Sequence, residues 1–162
     1  MVAGAVIEGP EGLLLVQNRR RSGVSDWSTP GGVIDAGETV IEGLSREVTE
    51  ETGLVVSAWS GPLYRVEVAA PGFGWNLQVE VHAADAFDGD LTVDDPDGIV
   101  VDARFVGDNT HVALLESNHR WVGEPLCEWF DARWDHEADR RLFRYQLEGD
   151  RPRDVVVTRH PQ

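Results

Sequence analysis

Glu47, Glu50 and Glu51 stand within five residues of one another in "GGVIDAGETVIEGLSREVTEETGL", residues 31–54. The stretch reads as a helix over Thr39–Thr52, because Ile41, Leu44 and Val48 recur at i, i+3 and i+7 and Gly53 falls where a left-handed C-terminal cap belongs. On a 3.6-residue wheel the three glutamates share one side, about a quarter-turn from the apolar stripe. Each like-charged pair at that spacing costs about 0.2–0.5 kcal/mol. Clustered carboxylates relieve the repulsion by protonating, by spreading into water or by binding a hard cation. Oxygen-only ligands suit Mg²⁺ or Mn²⁺, with water and substrate phosphates completing the shell. No histidine or cysteine lies close enough in sequence to suggest zinc. Gly43 lies on the carboxylate side, where a missing side chain would leave room for a ligand. Arg46 is placed to pair with Glu42 or Glu50 at i±4.

Taken alone, "REVTEE" reads more readily as a solvated helix face. The surrounding spacing decides between the two. "PGG" sets a tight turn, Glu38 follows Gly32 after five residues, and Arg46 follows Glu38 after seven. Residues 32–54 thus resemble the Nudix box at every fixed position: Gly32, Glu38, Arg46, Glu47, Glu50, Glu51 and Gly53, with Val48 and Leu54 as the aliphatics. The strand–turn–strand start, the "WSTPGG" approach and the "ARFV" segment extend the resemblance over residues 2–130.

That resemblance implies an α/β fold, a Nudix-type α/β/α sandwich with a mixed β-sheet in which the box forms a loop–helix–loop. It implies hydrolysis of a nucleoside diphosphate linked to another moiety. Glu47, Glu50 and Glu51 would bind Mg²⁺ or Mn²⁺ with the backbone carbonyl of Gly32. Glu38 would support the metal site or the helix start, and Arg46 would orient the glutamates. Glu51 or Glu50 is the local choice of general base. Glu116 or the Asp94–Asp97 cluster is the alternative on a later loop, where some family members carry it.

Substrate contacts are less marked. In related enzymes an arginine near the end of the second strand touches phosphate, which singles out Arg19, Arg20 and Arg21, with a solvated loop as the rival reading. Trp27, Phe73 and Trp75 sit where aromatics could stack on a base, although such residues more often fill core or rim. Asn76 and Asn109 could read base edges. Pro71, with sixteen residues between it and Leu54, occupies a place where ADP-ribose-cleaving members tend to carry proline. A sugar nucleotide such as ADP-ribose is therefore the first substrate expectation, and an ordinary or oxidised nucleoside triphosphate the second. The other function class is a non-catalytic sensor of ADP-ribose or a nucleotide, against which the intact glutamate set argues.

The elements that must hold these residues can be read along the chain. Residues 2–8 and 13–19 read as strands about a "GPEG" turn, and "SDWSTPGG" as loop. Residues 54–61, 63–70, 76–87 and 99–106 read as further strands, with "APGFGW" a turn and "DGDLTVDDPDG" an acidic connection. "THVALLESNHRWV" reads as one helix. The domain is expected over residues 1–130. The extension from 131 to 162 is expected as a hairpin, "RLFRYQL" and "RDVVVT" about "EGDRPR", packed on the domain or on a partner subunit in a homodimer.

The chain has 162 residues and a net charge of −15, with 29 acids against 14 arginines and no lysine. Such a balance argues against nucleic-acid or anionic-membrane binding, and a polyphosphate would approach only with cations present. "DDPDG" lacks the spacing and closing glutamate of an EF-hand loop, and the five histidines show no metal-ligand spacing. One cysteine, Cys127, excludes an internal disulfide, and the apolar N-terminus is interrupted at Glu8, Pro10 and Glu11. A cytoplasmic protein with a small-molecule nucleotide substrate is the expectation.

Overall fold

The computed structural model describes residues 1–107, 110–149, 151 and 154–161. Strands β1 (Val2–Val6), β2 (Glu8–Gly9), β3 (Gly12–Arg19) and β4 (Ser25–Ser28) lead into helix α1 (Val40–Thr52). Strand β5 (Val55–Ala70), a single 3₁₀ turn at Pro71–Phe73 and strand β6 (Trp75–Asp88) form a long hairpin. Strand β7 (Val100–Val106), helices α2 (Thr110–Leu115) and α3 (Arg120–Ala132), and strands β8 (Arg141–Glu148) and β9 (Val156–His160) complete the order.

Two sheets result. The larger is mixed, in the order β1-β6-β5-β8-β9, with β1 parallel to β6 and β5 parallel to β8. In the smaller, β3 pairs antiparallel with β7 along one edge and with β2 and β4 along the other. Alternation along the strands separates two cores. Ala3, Ala5 and Ile7 of the first strand segment and Leu14 of β3 pack with Leu44 and Val48 of α1. Val6, Leu13 and Leu15 point the other way, to the core that holds Leu126 and Trp129 of α3. Helices therefore cover opposite faces, and the expected α/β architecture with a mixed sheet is present.

Three expectations change. Ser25–Ser28 is strand rather than loop, because β3 extends far enough to pair it from Val16↔Ser28 to Arg19↔Ser25. Residues 55–70 form one strand whose register slips between Ser60 and Tyr64, rather than two separate strands. The helix expected over 110–122 is broken. Asn118 turns its amide to the Asp26 carboxylate and the Trp27 carbonyl, and Ser117 accepts the Trp27 N–H, so α2 ends before them and α3 begins after. The last strands pair antiparallel, and β8 lies along β5 from Tyr64↔Arg141 to Ala69↔Gln146. Among the described residues no helix is long and apolar enough to cross a membrane.

Candidate active site

The glutamate helix is fixed at both ends by its own sequence. Thr39 Oγ1 accepts the Glu42 N–H while Glu42 accepts the Thr39 N–H, a reciprocal capping box. Gly53, at φ +75°, closes the far end with its N–H on the Thr49 carbonyl. The loop before the helix is pinned to β1: Ala5 donates to the Pro30 carbonyl at 2.8 Å and Ala3 to the Gly32 carbonyl at 2.9 Å. Gly32 keeps one carbonyl lone pair beyond that bond.

Two glycines let the helix carboxylates lie on this loop. The Gly31 N–H donates to Glu51 Oε2 at 2.8 Å, and Gly31 has φ +139° with the Ala3 carbonyl pressed against the place of a Cβ. At Gly32 a Cβ would sit 2.4 Å from Glu47 Oε2, so the bare backbone is what admits that carboxylate. Gly43 does something different from the sequence expectation. The space beside it is filled by Ile34 and by Glu38 Oε2, leaving no room there for a ligand.

Arg46 is the hub. It grips Glu38 through Nε and Nη2, both at 2.9 Å, and reaches Glu47 at 2.9 Å and Glu50 at 3.3 Å through Nη1. Of the two partners expected at i±4, Glu50 is used and Glu42 is taken by the cap. The Arg46 bonds, with a backbone N–H from Asp35, hold the Glu38 carboxyl down at about 2. The same bonds raise the Arg46 guanidinium. Burial pushes Glu47 up despite Arg46. Burial pushes Glu51 up to about 8, and the Gly31 N–H offsets only part of this. Glu51 is 9% exposed and has no cationic partner among the described residues.

A buried carboxylate without a counter-charge, beside two more acids and an oxygen-bearing loop, is a donor set that fits a hard divalent cation. Among the described residues no three acids, histidines or cysteines are already drawn together as a metal cage.

Of the later acids, Asp95 and Asp97 bear on the site. Their charges help raise Glu51 and Glu47 respectively. Asp95 already accepts the N–H groups of Asp97, Ile99 and Val100, so it builds the turn and is a poor base. Glu116 is exposed at the end of α2, and its charge acts on Cys127.

The substrate candidates scatter. Arg20 is clamped by Asp26, while Arg19 and Arg21 are exposed. Trp27 is 5% exposed, with the Arg104 guanidinium 4.3 Å over its ring, so it is core and unavailable for base stacking. Phe73 packs against the core, and Trp75, 40% exposed, starts β6 five residues before Glu80, the register partner of Ala3. At about 3.3 Å per residue, Trp75 lies roughly 17 Å along the sheet from the glycine loop. Asn76 is exposed in the same distal stretch, and Asn109 lies outside the described residues. The cluster in which Asn18 and Asn118 both donate to Asp26 is not signalled by any local pattern, since its members lie up to 92 residues apart.

A family model for the NUDIX domain matches residues 1–130. The chain belongs to the Nudix family. Among curated relatives of this Nudix chain, a protein of Mycobacterium tuberculosis named putative 8-oxo-dGTP diphosphatase 2 is 40% identical over 57 residues, 35% of this chain and 40% of that protein. A Methanocaldococcus jannaschii protein named ADP-ribose pyrophosphatase is 38% identical over 50 residues, 31% of this chain and 30% of that protein. The chain thus spans less than half the length of the curated relatives it matches. The crystal structure of a MutT NUDIX hydrolase from Burkholderia pseudomallei aligns with a TM-score of 0.55 and 26% identity, covering 73% of this chain and 96% of that one.

Proposed function

We propose that the protein is a divalent-metal-dependent Nudix pyrophosphohydrolase that cleaves the phosphoanhydride of a nucleoside diphosphate derivative. The observation that carries this reading is the seating of Glu47 and Glu51 on the Gly31–Gly32 backbone, with Arg46 bracing Glu38, Glu47 and Glu50. Glu47, Glu50 and Glu51 would hold Mg²⁺ or Mn²⁺ with the free lone pair of the Gly32 carbonyl. A bound divalent ion supplies charge neutralisation at the phosphate oxygens and a more acidic water.

The chain's own residues do the rest. Arg46 fixes the rotamers of Glu47 and Glu50, and Glu38 fixes Arg46, so the acids are aligned before substrate arrives. Glu51, whose carboxylate accepts only the Gly31 N–H, is the first candidate to take the proton from attacking water; Glu50, more exposed, is the second. Arg19, at the exposed end of β3, and Arg21 just beyond it are the arginines of this group left to meet a substrate phosphate. ADP-ribose is the first substrate to test and an oxidised or ordinary nucleoside triphosphate the second; the names of the two curated relatives support both.

The test is product release from ADP-ribose, 8-oxo-dGTP and unmodified nucleoside triphosphates, with Mg²⁺ or with EDTA, for the wild type and Glu51→Gln. Cleavage should require the metal, and Glu51→Gln should lower kcat by about 10²–10⁴-fold. Turnover that survives EDTA, or is unchanged in Glu51→Gln, overturns the reading. Binding without turnover in both forms would make the protein a sensor.

A further inference from the structure

Trp27 and Arg104 stand on strands that do not pair with each other. In the small sheet β3 lies between β4 and β7, and its register sets Trp27, Gln17 and Asp102 in one row and Leu15 beside Arg104 in another. Paired residues share a face and side chains alternate along a strand, so Leu15, Gln17 and Arg19 point the same way as Trp27 and Arg104. The Arg104 guanidinium nevertheless lies 4.3 Å over the Trp27 ring. Its side chain therefore crosses β3, a span of about 10 Å at roughly 4.8 Å per strand.

Two contacts hold it there, and holding a long exposed side chain in one place gives up rotamer freedom. Trp27, itself buried, supports one side, and Asp102 takes Nη2 at 3.3 Å. The rest is open: 54% of the Arg104 side chain is exposed. A flat cation is thus fixed at the surface with an aromatic ring behind it. Gln17, half-buried in the row between Trp27 and Asp102, has no partner for its amide among the described residues. Arg19 follows two residues along the same face, about 7 Å away, and is exposed.

A held guanidinium plane stacks on the π face of a nucleobase, and an uncommitted amide beside it can both give and take hydrogen bonds at the nucleobase edge. A mere cover for Trp27 would call for neither the open amide nor a further arginine on the same face. The stacking surface expected of Trp27 passes instead to the arginine that covers it. We propose that Arg104, backed by Trp27, is the platform on which the nucleobase of the substrate stacks, with Gln17 at its edge and the 5′-phosphate toward Arg19. The proposal rests on the reading of the chain as a nucleotide hydrolase.

The test uses AMP and ribose 5-phosphate, which lacks the nucleobase, on the full chain in EDTA. It is read by the Arg104 Nε–H signal in ¹H–¹⁵N NMR spectra, assigned with Arg104→Lys. AMP should move that signal upfield and saturably, as a stacked ring demands, and ribose 5-phosphate should leave it in place. Arg104→Ala should weaken AMP binding about tenfold and leave ribose 5-phosphate binding unchanged. Arg104→Lys, which keeps the charge and loses the plane, should lose nearly as much. A signal unmoved by AMP, equal shifts from both probes, or wild-type affinity in Arg104→Lys overturns the platform. Should Arg104→Ala uncover Trp27 and fail to fold, the comparison of the two probes on the wild type still decides. AMP stacking in a protein that hydrolyses no nucleotide supports the platform and overturns only the hydrolase reading. Hydrolysis with an unmoved Arg104 signal overturns the platform alone.

Discussion

The carboxyls of Glu51 and Glu38 are shifted in opposite directions. Burial raises Glu51 to about 8, so the metal-free folded state holds a proton there that the unfolded chain releases near the ordinary carboxylate value. The folded state binds more protons across that window, so the Glu51 contribution is fully present at low pH and fades as pH rises toward 8. In EDTA, Glu51→Gln should therefore lose less stability than the wild type between about pH 5 and 8, a difference of at most a few kcal/mol, measured by urea denaturation. Glu38 behaves conversely. Its carboxyl is held at about 2, so its contribution stands above the ordinary value and is lost as pH falls toward 2. Identical curves for wild type and Glu51→Gln would remove the buried carboxylate from the account.

At the scale of the loop and helix, neighbouring glycines have different tasks, and substitutions separate them. Gly31→Ala would drive a Cβ to 2.2 Å from the Ala3 carbonyl at a φ of +139°, and backbone cannot yield as a side chain can. It should cost about 1–3 kcal/mol and lower Tm by several degrees. Gly32→Ala meets only the tip of Glu47, which can swing away. Its Tm should change little while the Mg²⁺ concentration needed for half-maximal activity rises. Thr39→Ala removes half of the capping box and should cost about 1 kcal/mol, about 2–4 °C in Tm for a domain of this size. Equal thermal losses for Gly31→Ala and Gly32→Ala would show that the two positions are not distinct.

Over the whole molecule, the last strands are sheet members. β8 pairs with β5 along six residues, and Phe143, Tyr145 and Leu147 are buried in the larger core. Removing residues 138–162 should bare the β5 edge and that core, and yield aggregated or unfolded protein by size-exclusion chromatography. A soluble, active truncation would show that the sheet stands without them. Net charge acts on the same scale. At −15 the molecule repels a polyphosphate, so raising monovalent salt at saturating Mg²⁺ should lower KM.

The box was legible because it is local: capping, helix period and the Gly–Glu–Arg spacing all fall within residues 32–54, and each acts through near neighbours. The strands about the "GPEG" turn were legible for the same reason. β4, the break between α2 and α3, and the Asn18–Asp26–Asn118 cluster were not, because each is a partnership between distant segments that no single segment signals. Only tertiary packing decided that Trp27 is core, that Trp75 stands far from the glycine loop, and that Glu51 is buried with no cationic side chain beside it among the described residues. Residue type and spacing set which groups could meet; burial and register, which depend on the whole chain, set which of them do.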